Sequence, residues 1–299
     1  AESLELEQDL FRVALEPAAI ALGASAAGTR AGASGPSPEF LTALNSTRAD
    51  GDVACSPSGE RLAFVSRRGG DAQVYVGEAD GARPPVPVTS LERAQIWNLQ
   101  WSQDERRLLF SAQREGQVGF YALDLETRQV SEPLPGAPLL SGPRLSRNGE
   151  WVYASVVVDD RWEFVRIRAA DGRRERILDS AARCLFDSPD ADTLWCAPLL
   201  GARVYRWTAG GDKSVWEDAP PSARRVLRAA TPRHIYGLDG EAASGALWRR
   251  DLASGAVDTL CRLDGRRCQS LSVEAGGRWL YLSLETRRDH DLILVPDYR

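Results

Sequence analysis

Six times along this chain a turn rich in Ser, Pro, Asn, Asp or Gly leads into a short apolar run, and the copies are almost evenly spaced. The runs start at Leu62 (RLAFVS), Leu108 (RLLFSA), Val152 (WVYASV), Leu194 (TLWCAP), Ile235 (HIYGLD) and Leu280 (WLYLSL), at intervals of 46, 44, 42, 41 and 45 residues. A fixed period of this length is the mark of a repeat architecture, in which each unit buries its apolar face only by stacking on its neighbours. The turns (SPSGE, SQDER, SRNGE, DSPDAD, ATPRH, EAGGR) supply the left-handed positions and side-chain-to-backbone bonds that tight hairpins need.

A second run follows each first one, as in Val74-Tyr75-Val76 and Leu247-Trp248-Arg249. In five units a further turn and a weaker β-type run (PVPVTS, QVSEPL, RERILD, KSVWED, VDTLCR) complete the set. Four short strands per unit predict an antiparallel meander. The first runs are apolar at consecutive positions rather than alternating, so both faces of each sheet must be covered. Sheets stacked radially around an axis achieve this. The fold expected is therefore all-β, a β-propeller of four-stranded antiparallel blades, with six blades and a seven-bladed ring as the second reading. A two-sheet sandwich explains neither the period nor the doubly covered runs.

The last unit ends at Arg299 after its third run, Leu292-Ile293-Leu294. Its fourth strand is expected from Phe40-Leu41-Thr42, pairing beside residues 290–295, so that an N-terminal strand closes the ring and removes two sheet edges. Residues 39–299 are thus assigned to the propeller and residues 1–38 to an arm. Within the arm, DLFRVALEP (9–17) resembles the third strand of a unit, ALWRRDLAS (246–254), and suggests the remnant of a further blade, although the Leu4, Leu6, Leu10, Phe11 pattern leaves a short helix open. Residues 18–38, rich in Ala, Gly, Ser and Pro, read as a flexible loop.

With the repeat in view, SPSGERLAFVSRRGGDAQVYVGEADG (56–81) is similar to the propeller repeat of the TolB family. There a Ser-Pro-Asp-Gly-type turn leads into Ile/Leu-Ala-Phe and then an Ile/Val-Tyr strand followed by Asp-Gly. The resemblance covers residues 40–299 and weakens in units four and five. Where that repeat usually carries Trp before the turn, unit one has Cys55 and unit two keeps Trp101. The terminus GGRWLYLSLETRRDHDLILVPDYR further resembles the TolB-like propellers of membrane-anchored winged-helix transcription regulators of Gram-negative bacteria. This resemblance implies a periplasmic, non-catalytic sensory domain whose partner is a protein or a small envelope signal. It implies no nucleic-acid binding by this chain, and a membrane link only through a segment outside it. A free TolB-like scaffold is the alternative, and a propeller enzyme such as a lyase the third.

Composition and motifs add constraints. With 43% hydrophobic residues, 26% charged residues and a formal net charge of −5, the chain is an ordinary globular sequence without the basic surplus of a polyanion binder. No segment reaches the roughly 20 apolar residues of a membrane span. Five cysteines include two close pairs, Cys184 with Cys196 and Cys261 with Cys268, which are expected as local disulfides in an oxidising compartment; Cys55 is left over.

No cofactor is expected. His234 and His290, the only histidines, lack metal-pair spacing, and both read as structural. No G-x-S-x-G nucleophile motif is present, and no room follows the last unit for a hydrolase domain. DSPDAD (187–192) and the Arg-Arg pairs read as turn chemistry and solvated surface. Catalytic residues are therefore not assigned. Ligand or partner binding is placed at the channel mouth, on the residues just before each first turn: Asp52, Asn98, Arg144 and Arg183. Trp97 and Trp101 read as core.

Overall fold

The computed structural model describes residues 6–15, 38–132, 141–187, 191–198, 203–218, 226–231, 233–238, 245–251, 253–274 and 276–287. Its strands begin with β1 (Leu6–Ala14) and β2 (Glu39–Phe40). Blade one is β3 (Asp50–Cys55), β4 (Arg61–Ser66), β5 (Gln73–Glu78) and β6 (Val86–Pro87). Blade two is β7 (Gln95–Trp101), β8 (Arg107–Arg114), β9 (Gln117–Asp124) and β10 (Val130–Ser131). Blade three is β11 (Ser141–Leu145), β12 (Trp151–Val158), β13 (Arg161–Arg168) and β14 (Arg174–Leu178). Blade four is β15 (Ala182–Asp187), β16 (Thr193–Pro198), β17 (Arg203–Thr208) and β18 (Lys213–Asp218). Blade five is β19 (Val226–Ala230), β20 (His234–Leu238), β21 (Ala246–Asp251) and β22 (Val257–Arg262). β23 (Cys268–Val273) and β24 (Trp279–Arg287) open blade six. Among the described residues there are six four-stranded antiparallel sheets and no helix.

The first strands touch one another in the circuit β3, β7, β11, β15, β19, β23 and back to β3, so they form the inner wall of a closed ring. This is a six-bladed β-propeller. The register of the repeat is the register of the core. Leu62, Leu108, Val152, Leu194, Ile235 and Leu280 all fall second in their β-strands, and none is more than 1% exposed. Consecutive residues then face opposite neighbours. Leu108 packs with blade one, while Leu109 packs with blade three. Val152 faces blade two and Tyr153 faces blade four. Each apolar cluster thus lies between two blades, which is why the runs do not alternate.

The first turn of each unit repeats one device. The Oγ of Ser56, Ser102 and Ser146 accepts the amide five residues on, at 3.2, 2.9 and 2.9 Å. Blade six uses the Glu274 carboxylate for the same bond, to the Trp279 amide at 3.1 Å. Three residues before five of the buried runs the backbone is left-handed: Gly59, Gly149 and Gly277 in three blades, but Glu105 (φ 56°) and Ala191 (φ 60°) in two others. Glu105 adopts this costly conformation where its carboxylate reaches back to blade one, pairing with Arg61 at 2.9 Å and accepting the Ser58 amide. Burial opposes ionisation there, but these two donors hold the Glu105 carboxyl below its usual range.

The ring is closed by the N-terminal segment, with a different assignment of strands from the one expected. β1 is the third strand of blade six, paired with β24 over its full length from Leu6↔Arg287 to Ala14↔Trp279. The likeness of residues 9–17 to a third strand therefore marks this blade rather than a further one. The boundary drawn at residue 39 passes through the sheet. The fourth strand, β2, pairs with β1 (Phe11↔Phe40); the expected pairing beside residues 290–295 falls outside the described residues, as do residues 18–37. Arg12 locks the two strands with a two-point ion pair to Glu39, both bonds 2.8 Å, while its guanidinium lies 4.4 Å over the Trp279 ring.

The expected disulfides are not formed: none of the five cysteines is paired in a disulfide. Cys184 and Cys196 are indeed opposite one another on neighbouring strands, and Cys261 and Cys268 share one apolar cluster. In this buried setting the Cys196 thiol is pushed up to about 12 and the Cys261 thiol up to about 11, so both stay protonated. They serve as small apolar core residues.

Candidate functional site

The inner strands carry the candidate site, and their irregularities shape it. β3, β7 and β11 each lose register with the next strand over two residues, between Gly51 and Ala54, Trp97 and Gln100, and Ser141 and Arg144. Within these bulges Asp52, Asn98 and Gly142 are left-handed, with φ of 49°, 59° and 48°. All three stand ten residues before their buried run. Asp, Asn and Gly are the residues that reach this conformation at least cost, so the sequence encodes the bulge. In blades four and six only one residue is skipped, between Cys184 and Phe186 and between Cys268 and Ser270.

The bulges turn side chains sideways, onto the neighbouring blade. Asp52 Oδ2 accepts the Leu99 amide at 3.3 Å. Asn98 Nδ2 donates to the Pro143 carbonyl at 2.7 Å. Gln100 bonds both backbone groups of Leu145, at 2.8 and 2.9 Å. Trp101 Nε1 donates to the Ala54 carbonyl at 3.0 Å. On the other side, the Val53 and Cys55 amides donate to Ser270 and Ser272 Oγ, each at 2.9 Å. Blades six, one, two and three are thereby knitted at the axis by groups that a β-ladder alone would leave without partners.

These strands enclose a channel of about 420 Å³, in the range of small-ligand sites. Its wall is apolar at Leu99, Trp101, Leu145, Leu271 and Val273, and it opens between the first turns at Pro57, Gln103 and Arg147. The charged side chains among its described lining residues are Arg144 and Arg147, with no carboxylate among them. Arg144 is half-buried. Its Nε is fully enclosed and has no hydrogen-bond partner among the described residues. Asp52 sits behind the wall, and burial pushes its carboxyl up to about 6, against the opposing bonds from the Leu99 and Asn98 amides.

Of the four residues proposed from sequence, Asn98 and Arg144 line the channel and Asp52 adjoins it through Leu99. Arg183 lies on the inner strand β15, opposite Ala197; its side chain is outside the described set. Sequence reasoning missed Gln100, Ser270 and Ser272, whose role depends on contacts between blades. Trp101 is core, 6% exposed. His234 is half-buried beside Asp251 (3.5 Å) and the Tyr236 ring, with burial holding its imidazole below the usual range. His290 and residues 188–190 of DSPDAD lie outside the described residues. Among the described residues no cluster of His, Cys, Asp and Glu is arranged to hold a metal.

Two of the Arg-Arg pairs are less solvated than expected. Arg68 pairs at 2.9 Å with Asp50, which is fully buried, and Arg249 donates to the Leu15 carbonyl at 3.1 Å, tying blade five to β1. A second groove, of about 540 Å³, lies at the junction of blades six and one, lined by Arg12, Arg61, Glu78, Trp279 and Tyr281 among others. Its charges of both signs are largely paired with one another or with neighbours: Arg12 with Glu39, Arg61 with Glu105, Arg278 with Glu274 and Glu78 with Arg83.

Among solved structures, TolB from Acinetobacter baumannii superposes with a TM-score of 0.59 over 77% of this chain and 65% of that one, at 16% identity. The fold is that of a TolB-like β-propeller. No protein-family profile matches the chain. Among curated proteins it is 29% identical to dipeptidyl aminopeptidase BIII of Pseudoxanthomonas mexicana over 268 residues, 83% of this chain and 38% of that protein. It is 25% identical to an uncharacterized protein of Agrobacterium fabrum over 155 residues, 52% of each. The chain thus spans about half the length of one curated relative and less than that of the other.

Proposed function

We propose that this TolB-like propeller is a non-catalytic binding domain that takes a protein partner or a small envelope signal into its central channel. The observation that supports this reading is the channel's composition. Apolar walls surround a guanidinium that has no ion pair among the described residues, a combination suited to recognition by burial plus one polar anchor. The inner-strand side chains Asn98, Gln100, Ser270 and Ser272 are bonded to backbone groups of the next blade and serve to hold the wall. In the finer form of the proposal the chain is the extracytoplasmic part of a membrane-anchored transcription regulator, and partner binding at the channel is the signal passed inward. That form rests on the likeness of residues 276–299 described above.

The second reading, a free TolB-like scaffold of the envelope, shares the channel and differs in what precedes Ala1. A peptidase reading is prompted by the 29% likeness to the dipeptidyl aminopeptidase, and would assign this chain the propeller part of a larger enzyme.

The test is site-specific photo-crosslinking from Gln103, at the mouth, in cells expressing the complete gene. A defined envelope protein captured through Gln103, and lost when Leu271→Trp fills the channel, supports the binding role. Capture that ignores Leu271→Trp overturns it. Sequencing upstream of Ala1 separates the forms: a winged helix and a membrane span support the regulator, a secretion leader alone supports the scaffold, and a peptidase domain in the same gene removes both.

A further inference from the structure

Arg144 poses a problem that the fold does not solve. A guanidinium carries five N–H donors and stays charged, and leaving such donors unmatched in a low-dielectric site is costly. Other buried arginines here are provided for. Arg166 lies between the Trp151 and Trp207 rings, 4.0 and 4.6 Å away, with Glu175 at 2.7 Å. Arg68 has Asp50. Arg144 has no ion pair or ring contact among the described residues, and Asp52, the buried carboxyl of the same wall, is turned onto the Leu99 amide.

Resting on the binding role proposed above, we infer that the channel receives the C-terminal end of an apolar peptide segment, with its terminal carboxylate on the Arg144 guanidinium. One cation matches one monoanion, and the planar fork of Arg fits a carboxylate with two parallel bonds. A phosphate would bring a second charge and a third oxygen against walls formed by Leu99, Leu145, Leu271 and Val273, whereas Arg147, the other cation of the described lining, stands at the opening between the first turns. An internal Asp or Glu would require the partner chain to enter and leave through one narrow ring, whereas a chain end enters once. Ser272 adds a directional donor: its oxygen accepts the Cys55 amide, leaving its O–H free to bond a second carboxylate oxygen or the last peptide carbonyl. The apolar residues before the terminus would then lie along Leu271 and Val273.

The experiment uses the whole chain and two probes, acetyl-Leu-Val-Leu as the free acid and as the C-terminal amide, followed by the Arg Nε–H signals in proton–nitrogen spectra. The Arg144 signal is assigned by its loss in Arg144→Gln. The free acid is expected to bind about tenfold more tightly than the amide and to move the Arg144 Nε–H signal. Arg144→Gln should abolish the difference between acid and amide, and Arg144→Lys should keep part of it; unfolding curves of both variants establish that the ring is intact. Equal binding of acid and amide, tighter binding of octanoate than of the peptide acid, or no binding of either probe at millimolar concentration would each overturn the inference. If crosslinking at Gln103 is lost in Leu271→Trp but unchanged in Arg144→Gln, the binding role stands and the carboxylate assignment fails; if it survives Leu271→Trp, the binding role has failed first.

Discussion

Replacing Asp52 with Asn isolates one titrating group at the axis. Asn keeps the shape, tolerates φ near 49°, and retains an oxygen for the Leu99 amide, so only the charge is removed. The folded state pushes the Asp52 carboxyl from 3.8 up to about 6 because burial penalises its charged form more than the two amides favour it. Each pKa unit corresponds to about 1.4 kcal/mol, so the ceiling is about 3 kcal/mol; half-burial beside a wet channel lowers the expectation to about 1–2 kcal/mol. The sign follows from linkage. Between the unfolded and the folded pKa the native state holds the extra proton, so this contribution is fully present below about pH 4 and is lost as the pH rises through about 6.

Wild type should therefore weaken between about pH 4 and pH 7.5, and Asp52→Asn should remove that share of the slope. The two proteins should match at the acid end, and the variant should melt about 2–4 °C higher at the neutral end. Urea and thermal unfolding across that range, read as the difference between the two proteins, provide the assay. A difference that stays constant with pH would refute the reasoning, because it would mean that Asp52 ionises alike in the folded and unfolded chains.

The remaining predictions concern the ring. Deleting residues 1–15 removes the third strand of blade six, and circular dichroism with size exclusion should show loss of the cooperative fold; unchanged unfolding would contradict closure by β1. Arg166→Met should cost about 2–4 kcal/mol in urea, through two lost ring contacts and the lost ion pair to Glu175, which keeps Arg173 at 3.2 Å; a loss under about 1 kcal/mol would mean that the sandwich is not stabilising. Leu108→Ala should cost about 2–5 kcal/mol by the same measurement, as for any fully enclosed leucine. The four buried thiols, Cys184, Cys196, Cys261 and Cys268, should react with a chromogenic disulfide reagent only after denaturation, and fast labelling of Cys196 or Cys261 in the native protein would contradict their burial.

The parts of this architecture that repeat were legible in the sequence, because repetition turns a weak local signal into a periodic one. One Leu62 says little, whereas six such positions at a near-constant interval identify the second strand of every blade. The turn was equally readable, since Ser56, Ser102 and Ser146 perform one bond in three places. What escaped was pairing between distant segments. DLFRV resembled a third strand, but nothing local says that its neighbour is Leu282, some 270 residues away, rather than a missing blade. The cysteines show the same limit: Cys184 and Cys196 were placed as neighbours correctly, yet adjacency does not decide oxidation. At the site, Asp52 and Asn98 were chosen for standing before the turn. Their shared offset from the buried run, with Gly142 as third member, was the stronger signal, because Asp, Asn and Gly at one repeat position denote a left-handed bulge.

That bulge connects the two halves of the functional proposal. Ser270 receives the Val53 amide; the next residue back, Asp52, receives the Leu99 amide; its neighbour Asn98 holds the Pro143 carbonyl; and the residue after Pro143 is Arg144. A continuous path of single hydrogen bonds thus runs from blade six to the unmatched guanidinium, each link reaching across a blade boundary. A ring of sheets resists bending within a blade but can change the tilt between blades, and those boundaries are where such a change would be resisted or permitted. A ligand drawing Arg144 toward the axis would load the Pro143–Asn98 bond before any other. Asn98→Ala removes that bond while leaving Arg144 in place, so it should weaken the positioning of the guanidinium and broaden its Nε–H signal without abolishing the preference for a carboxylate. Loss of the preference itself would mean that Asn98 touches the ligand directly and that the path is not the support.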